Sequence, residues 1–259
     1  MSEIPTMVIG EGNSAVLSHT LIKRIPVNYT PGTSIQYGNK ILFVTGRTLR
    51  PADMKVFFCV LKAYTDNKHD ALQSIRGTPI TEIDISSTVF AVDVAEISKL
   101  AYGTRARGTR LVQSLERMTE MKIHLLNDKS EMMGFVQLVS GAKLSKDRKT
   151  LEVAMNKSFL KDMAREMIQY DFPKMLSLNG RAFVLYIAVQ QYKYKISEGK
   201  YGYTYIPHEE LCNIMNIHGK NAKYDIAKTF KEIGINFVLH SNGKWHYPKA
   251  KIISKKDGL

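Results

Sequence analysis

Four arginines between residues 104 and 118 are the side chains whose type and spacing most clearly point to chemistry. The stretch TRARGTRLVQSLERM carries Arg105, Arg107, Arg110 and Arg117, interleaved with apolar residues at helical spacing. A guanidinium group presents five N–H donors in a planar fork, which pairs with a phosphate or with the edge of guanine. The stretch therefore favours binding of a polyanion.

A helical wheel separates this stretch into an apolar and a polar face. Leu111, Leu115 and Met118 are predicted to face the core. The polar face and its flanks carry the residues that we predict to contact DNA, which are Arg105, Arg107, Thr109, Arg110, Gln113, Ser114 and Arg117. For the helix taken alone, a solvated basic face with no ligand is the alternative interpretation.

The neighbouring segments have the order of a winged helix. SIQYGNKILFVTG predicts a hairpin around Gly38–Asn39, and RPADMKVFFCVLKAYTDN predicts a helix that starts at Pro51. VAEISKLAYG predicts a short helix ended by Gly103, and Thr104 is a candidate N-cap of the next helix. Three β-like runs follow over residues 121–157, with Lys129 among the basic residues of this first wing region.

A second set of elements in the same order occupies the rest of the chain. LNGRAFVLYIAVQQYKY predicts an amphipathic helix, PHEELCNIMNI and HGKNAKYDIAKTFKEIGI predict two more, and a hairpin turns at Asn242–Gly243. The residues predicted to contact DNA are Lys220, Asn221, Lys223, Tyr224 and Lys228 on the third helix and Asn242, Lys244 and His246 on the wing. A solvated lysine face with a half-buried tyrosine is the alternative. Trp245 is predicted to be a packing residue.

These patterns predict an α+β fold of two tandem winged-helix domains. The first domain is predicted over residues 31–157 and the second over residues 158–259. Residues 1–30, which have scattered apolar positions and little periodicity, are predicted to form a flexible N-terminal arm.

Composition is consistent with a basic globular protein. The 259 residues carry a net charge of +13, divided almost evenly between residues 1–150 (+6) and 151–259 (+7). Such a charge favours nucleic acid or an acidic membrane surface as the partner. Because neither a signal peptide nor an apolar run of membrane-spanning length is evident, we expect a cytoplasmic protein without membrane association.

Signals for covalent chemistry are weak. The chain lacks the GxxxxGK[ST] phosphate-binding loop, and no histidine lies four residues from His208 to complete a metal motif. Two cysteines without a CxxC spacing predict neither a disulfide framework nor a zinc site. We therefore expect no enzyme activity, no catalytic residue, no metal and no cofactor.

The ordered set of segments resembles the DNA-binding replication initiators of IncQ-type plasmids, within the wider group of iteron-binding plasmid initiators. The resemblance rests on IQYGNKILFVTG with RPADMKVFFCVLKAY, on AEISKLAYG through GFVQLVSGAKLSKDRKTLEVAMNKSF, and on LNGRAFVLYIAVQQYKYKISEGKYGYTYIPHEELCNIM. It implies binding to directly repeated origin sequences, opening of an adjacent AT-rich duplex, recruitment of a replicative helicase and possible self-association.

Two alternatives remain open at this point. One is a transcriptional repressor built from the same winged-helix modules. The other is a DNA-processing enzyme, such as a primase or a nickase, whose site the motifs do not reveal.

Overall fold

The structure, a computed structural model, describes most of the chain. The described residues are 4–18, 34–37, 40–47, 49–68, 72, 88–104, 108–126, 132–165, 167–197, 205–235, 237–239 and 243–246. Their helices are α1 (Pro51–Asn67), α2 (Val94–Tyr102), α3 (Gly108–Glu120), α4 (Lys157–Arg165), α5 (Phe172–Ser177), α6 (Gly180–Ser197), α7 (His208–Met215) and α8 (Ala222–Glu232). Their strands are β1 (Ser14–Ser18), β2 (Ser34–Tyr37), β3 (Lys40–Thr45), β4 (Val89–Asp93), β5 (Lys122–Leu126), β6 (Met132–Val136), β7 (Val139–Leu144), β8 (Thr150–Met155), β9 (Met167–Asp171), β10 (Tyr205–Pro207), β11 (Val238–Leu239) and β12 (Lys244–His246). These elements confirm the predicted α+β class.

Helix α1 is the axis of the structure. It begins at Pro51, as predicted. Proline suits the first helical position because an N–H there would have no acceptor within the helix, and because the φ of proline is already helical. Residues 53–65 are buried on every side, and not only on the predicted face that includes Phe57 and Leu61. Helices α2, α3 and α6 all pack against it.

The first sheet is antiparallel and has the strand order β2-β3-β5-β6. The predicted hairpin of β2 and β3 is confirmed, although its turn at Gly38–Asn39 lies outside the described residues. Gly46 follows β3 with a φ of 93°, and a Cβ at this position would overlap the carbonyl oxygen of Glu120. Glycine at this position lets the end of β3 approach the last turn of α3.

Helices α2 and α3 and the β7–β8 hairpin form the predicted winged-helix arrangement. Asp93 caps α2 by accepting a hydrogen bond from the Glu96 N–H (2.7 Å), and Gly103 ends the helix in the left-handed conformation (φ 70°). The hairpin belongs to a sheet of order β4-β8-β7. Helix α3 starts where Gly108 lies close to Leu144 of β7.

The described part of α3 begins at Gly108, and residues 105–107 lie outside the described residues, so Thr104 as the N-cap stays a prediction. One detail of this region differs from the prediction. Residues 122–155 contain four strands instead of three, and β5 and β6 join the β2–β3 hairpin. The run FVQLVSG carries no turn residues between β6 and β7, where the chain passes from one sheet to the other. Its apolar pattern therefore predicts a single strand.

Helices α6, α7 and α8 and the sheet β10-β12-β11 form the second unit. The predicted inward face of α8, which includes Ile226 and Phe230, is buried. Helix α6 is not amphipathic over residues 182–190, because α1 and α8 both pack against it and bury every side. Pro207, the predicted first residue of α7, is its N-cap and ends β10, so the helix begins one residue later, at His208.

Residues 4–18 are packed against the rest of the protein, contrary to the predicted flexible arm over residues 1–30. Strand β1 pairs with all five residues of β9 in an antiparallel ladder. The Met7 N–H donates to the Ala91 carbonyl (2.7 Å), and the Met7 side chain is buried. The segment around Met7 and strand β1 are both short and are held mainly by backbone hydrogen bonds. Such segments leave no periodic signal in the sequence, which explains why a flexible arm was predicted. Residues 19–33 of the predicted arm lie outside the described residues.

Aromatic contacts join the two predicted domains into one core. Phe58 of α1 lies 6.0 Å from Phe183 of α6 and 6.3 Å from Tyr170 of β9, measured between ring centroids. Phe57 lies 5.7 Å from Phe159 of α4. Each such aromatic pair adds about 0.5–1.5 kcal/mol beyond the area that it buries. The core therefore continues across the predicted boundary at residue 157.

A buried carboxylate fixes α3 against α1. Asp53 is fully buried, and its Oδ1 accepts hydrogen bonds from the Ser114 hydroxyl (2.8 Å) and from the Arg117 guanidinium (2.9 Å). Its Oδ2 accepts from the backbone N–H of Arg50 (3.0 Å) and from the Arg50 Nε (3.2 Å). A buried charge is tolerated only when it is paired and hydrogen-bonded, so these donors must keep their positions.

We predict that Asp53→Asn lowers the free energy of unfolding by about 2–4 kcal/mol, because it removes the charge that holds two guanidinium groups and a hydroxyl. Denaturant unfolding followed by circular dichroism measures the change. Asp93→Asn is the matched control, since asparagine caps a helix as well as aspartate, and should change stability by less than about 0.5 kcal/mol. Equal effects of the two substitutions would contradict the assigned role of Asp53.

Candidate nucleic-acid interface

Most of the exposed residues of α3 lie in its first half. Thr109, Arg110 and Gln113 are exposed, as the helical wheel predicted. The Arg110 guanidinium lies over the ring of Tyr102, 4.2 Å from its centroid, in a cation–π contact. This contact holds a cation at the start of α3, at the helix end where the macrodipole is positive.

The predicted orientation of Ser114 and Arg117 is wrong. Ser114 is 2% exposed, and Arg117 reaches across to Asp53 instead of facing solvent. The wheel counts both residues as polar and assigns them to the outer face. It cannot detect a buried carboxylate on another helix, which turns this side of α3 inward. Both residues anchor α3 and are not part of the exposed surface.

The exposed cationic surface of α3 is therefore smaller than predicted. Within residues 108–120, Arg110 is the one exposed basic side chain, and Glu116 is exposed one turn beyond Gln113. A carboxylate there would repel phosphate, so an anionic partner is favoured only at the start of the helix. Arg105 and Arg107, predicted to contact DNA, lie outside the described residues.

Tyr102 links Arg110 to the buried carboxylate. The single Ser114 proton is donated to Asp53, so the Tyr102 hydroxyl donates to the Ser114 oxygen at 3.1 Å. Burial raises the pKa of Tyr102, which keeps its hydroxyl protonated as a donor. The ring that carries Arg110 is thus oriented by the same carboxylate that fixes α3. No local pattern in the sequence identifies Asp53 or Tyr102 as contributors to this site.

The start of α8 forms the second exposed basic surface. The predicted residues Lys220, Asn221, Lys223, Tyr224 and Lys228 are all exposed. Tyr224 is 71% exposed, which contradicts the alternative of a half-buried tyrosine. Asn221 occupies the N-cap position without a side-chain capping hydrogen bond. Cationic, amide and hydroxyl groups therefore share one helix start.

The wing of the second unit is described in part. Trp245 is buried, as predicted, and its indole N–H donates to Nδ1 of His208 on α7 (3.1 Å). Lys244 is partly buried in β12. Asn242 lies outside the described residues, as does the side chain of His246. Lys129 is also outside them. The strands that flank it in the sequence, β5 and β6, belong to the four-stranded sheet and not to the β7–β8 wing.

Polar contacts connect the two exposed helix starts through α1. Lys55, two residues after Asp53, donates to the Leu176 carbonyl (2.6 Å) and to the Asn179 side-chain oxygen (3.0 Å). Arg181, at the start of α6, forms an ion pair with Asp225 of α8 (3.2 Å). Helices α3 and α8 are therefore held in one frame through α1 and the α5–α6 corner.

Other classes of site are not evident in the described part of the chain. There, no group of three His, Cys, Asp or Glu side chains could hold a metal ion. Nor does any described helix combine the length and the apolar character needed to cross a bilayer.

Two solved structures share this fold. The Pi initiator protein in complex with iteron DNA superposes with a TM-score of 0.54 at 12% identity, covering 93% of this chain and 100% of that one. Domains 2 and 3 of RctB superpose with a TM-score of 0.50 at 10% identity, covering 82% of each chain. At these identities the similarity shows the fold alone, and it agrees with the predicted winged-helix architecture. A search of the curated proteins found no match.

A protein-family model described as "Initiator Replication protein, WH1" matches residues 34–186. The match runs from β2 through the first winged helix and into α6, so it covers more than half of the chain. By this match the chain belongs to the family of initiator replication proteins.

Proposed function

We propose that this chain initiates replication of a plasmid, of the IncQ-type group, by binding directly repeated sequences (iterons) in double-stranded DNA. The observation that carries the proposal is the pair of exposed basic helix starts, α3 and α8, which are connected through α1 and the α5–α6 corner. The proposal assigns α3 to a first winged-helix domain over residues 31–157 and α8 to a second over residues 158–259. One monomer would then contact a long asymmetric site.

The two helices suit successive major grooves. In winged and other helix-turn-helix proteins the second helix of the motif enters the major groove with its N-terminal residues against the bases, and successive sites lie about 10 base pairs apart. Arg110 and Asn221 lie at such N-terminal positions. Arginine can pair with guanine, and asparagine can pair with adenine.

Phosphate contacts would supply most of the affinity. The groups proposed for phosphate contact extend the basic surface beyond those placed for base contact, and they are Lys220, Lys223, Lys228 and the Tyr224 hydroxyl. Each neutralised phosphate releases condensed counterions, so binding should weaken steeply as the salt concentration rises. We further propose that several bound copies, by self-association and DNA bending, open an AT-rich duplex and recruit a replicative helicase in the cytoplasm. This role requires no covalent chemistry from the chain.

Selection from a random-sequence duplex pool by the purified chain tests the proposal. We expect enrichment of a site about two helical turns long, and footprints on tandem copies of that site. Opening of an adjacent AT-rich duplex is then measured by permanganate reactivity, with and without ATP and divalent metal. Binding without opening would favour a repressor, and cleaved or primed DNA would favour a DNA-processing enzyme. A chain that enriches no sequence would disprove the proposal.

We predict that Lys223→Ala weakens duplex binding and makes the slope of log K against log salt less negative by about 0.9, because one phosphate contact is lost. Fluorescence anisotropy over a salt series measures this slope. Lys122→Ala is the matched control: Lys122 is also exposed but lies in β5, beyond the far end of α3. A slope that changes equally in both variants would assign the effect to net charge and not to α8.

We predict that Tyr102→Leu weakens duplex binding about two- to fivefold, because the Arg110 guanidinium loses a contact of about 0.5–1 kcal/mol. Tyr102→Phe keeps the ring and should retain more of the affinity. In an Arg110→Ala background the Tyr102→Leu change should have no further effect, which a double-mutant cycle measures. Additive losses would show that Tyr102 does not act through Arg110.

A further inference from the structure

An open cleft of about 630 Å³ lies between the first winged helix and the α5–α6 corner. Its walls come from the start of α1, the end of α2, the start of α3, and the residues around Leu176 and Asn179. Among the described residues that line it, three are basic, which are Lys55, Lys99 and Arg110, and none is acidic. The cleft therefore concentrates positive charge without compensation from its own walls.

The Lys55 ammonium is the most buried charge in the cleft. Its side chain belongs to a residue that is 6% exposed, and its hydrogen-bond acceptors, the Leu176 carbonyl and the Asn179 amide oxygen, are both neutral. Burial lowers the pKa of Lys55, since the charged form is removed from water without a carboxylate nearby. An anion in the cleft would supply the missing counter-charge.

The cleft borders the exposed start of α3, and one of its walls is connected to the start of α8. On one side Arg110 belongs both to the cleft and to the exposed surface of α3. On the other side Asn179 is two residues from Arg181, whose ion pair with Asp225 places the start of α8 next to this wall. A duplex that contacts α3 and α8 in successive major grooves must pass its backbone across the space between them.

We infer that this cleft binds a phosphodiester of the DNA backbone midway between the two major-groove contacts, with Lys99 and Arg110 at its rim and Lys55 at its base. The inference rests on the proposed DNA binding and adds a third, central contact to it. An ammonium or guanidinium group held in place before binding gives a stronger contact than a freely moving surface lysine, because less side-chain freedom is lost. The occupant is the duplex itself, and free phosphate or an acidic protein segment are the alternatives.

Salt dependence on a mixed-sequence duplex tests the cleft whether or not the chain selects a sequence. Lys99→Ala should make the slope of log K against log salt less negative by about 0.9, and Lys55→Met should do the same. Lys122→Ala should leave the slope unchanged. The thermal unfolding of each variant is measured as well. If Lys55 only joined the two halves of the protein, Lys55→Met would lower the stability without changing the slope. Lys99 is exposed, so its variant keeps the fold when Lys55→Met does not.

Neutral methylphosphonate linkages locate the contact on the selected duplex. Moved one at a time through the centre of the site, they should weaken wild-type binding at one or two positions, and Lys99→Ala should abolish that sensitivity.

Unchanged salt slopes in both cleft variants, together with no position whose effect Lys99→Ala removes, would overturn the inference. Loss of helicase binding in those variants with unchanged duplex binding would overturn it in favour of a protein occupant. If only the cleft inference is wrong, Lys223→Ala still weakens duplex binding. If the proposed function is wrong, the chain selects no sequence from the random pool.

Discussion

The buried carboxylate of Asp53 is the interaction on which the arrangement of α3 depends. A charge without contact to water is stable only when donors surround it, and two of its donors, Ser114 and Arg117, come from α3. Their positions fix the rotation of α3 about its own axis, and that rotation decides which residues face outward. The same network reaches Arg110 through the Tyr102 ring, so a residue in the core determines the geometry of the surface.

Helix α1 extends this control to the second half of the chain. Asp53 and Lys55 lie two residues apart in its first turns, and one contacts α3 while the other contacts the α5–α6 corner. Because Phe57 and Phe58 of α1 pack against Phe159 and Phe183, which lie beyond the predicted domain boundary, the two winged helices share a core. Two DNA-contacting helices held at a fixed separation lose little freedom on binding, which favours one register on the duplex.

The distribution of charge follows from this architecture. The net charge of +13 is spread along the whole sequence, yet the structure turns Lys55, Lys62 and Arg117 toward interior partners. Arg110 on α3 and Lys220 and Lys223 on α8 are exposed at the helix starts, where the macrodipole also favours anions. Lys228 and Lys231 are exposed further along α8. Interior cations thus build the frame, and exposed cations are the ones available to phosphate.

The sequence by itself determined the α+β class, the order of helices and hairpins, the inward faces of α3 and α8 and the exposed basic start of α8, because periodicity, caps and turn residues are local signals. Tertiary structure alone decided that Ser114 and Arg117 face Asp53, since their partner lies 61 and 64 residues away in sequence. It also decided that residues 4–18 pair with β4 and β9, and that Lys55 and Lys99 meet Arg110 in one cleft. Contacts between distant segments depend on which surfaces the packing brings together, and no single segment records them.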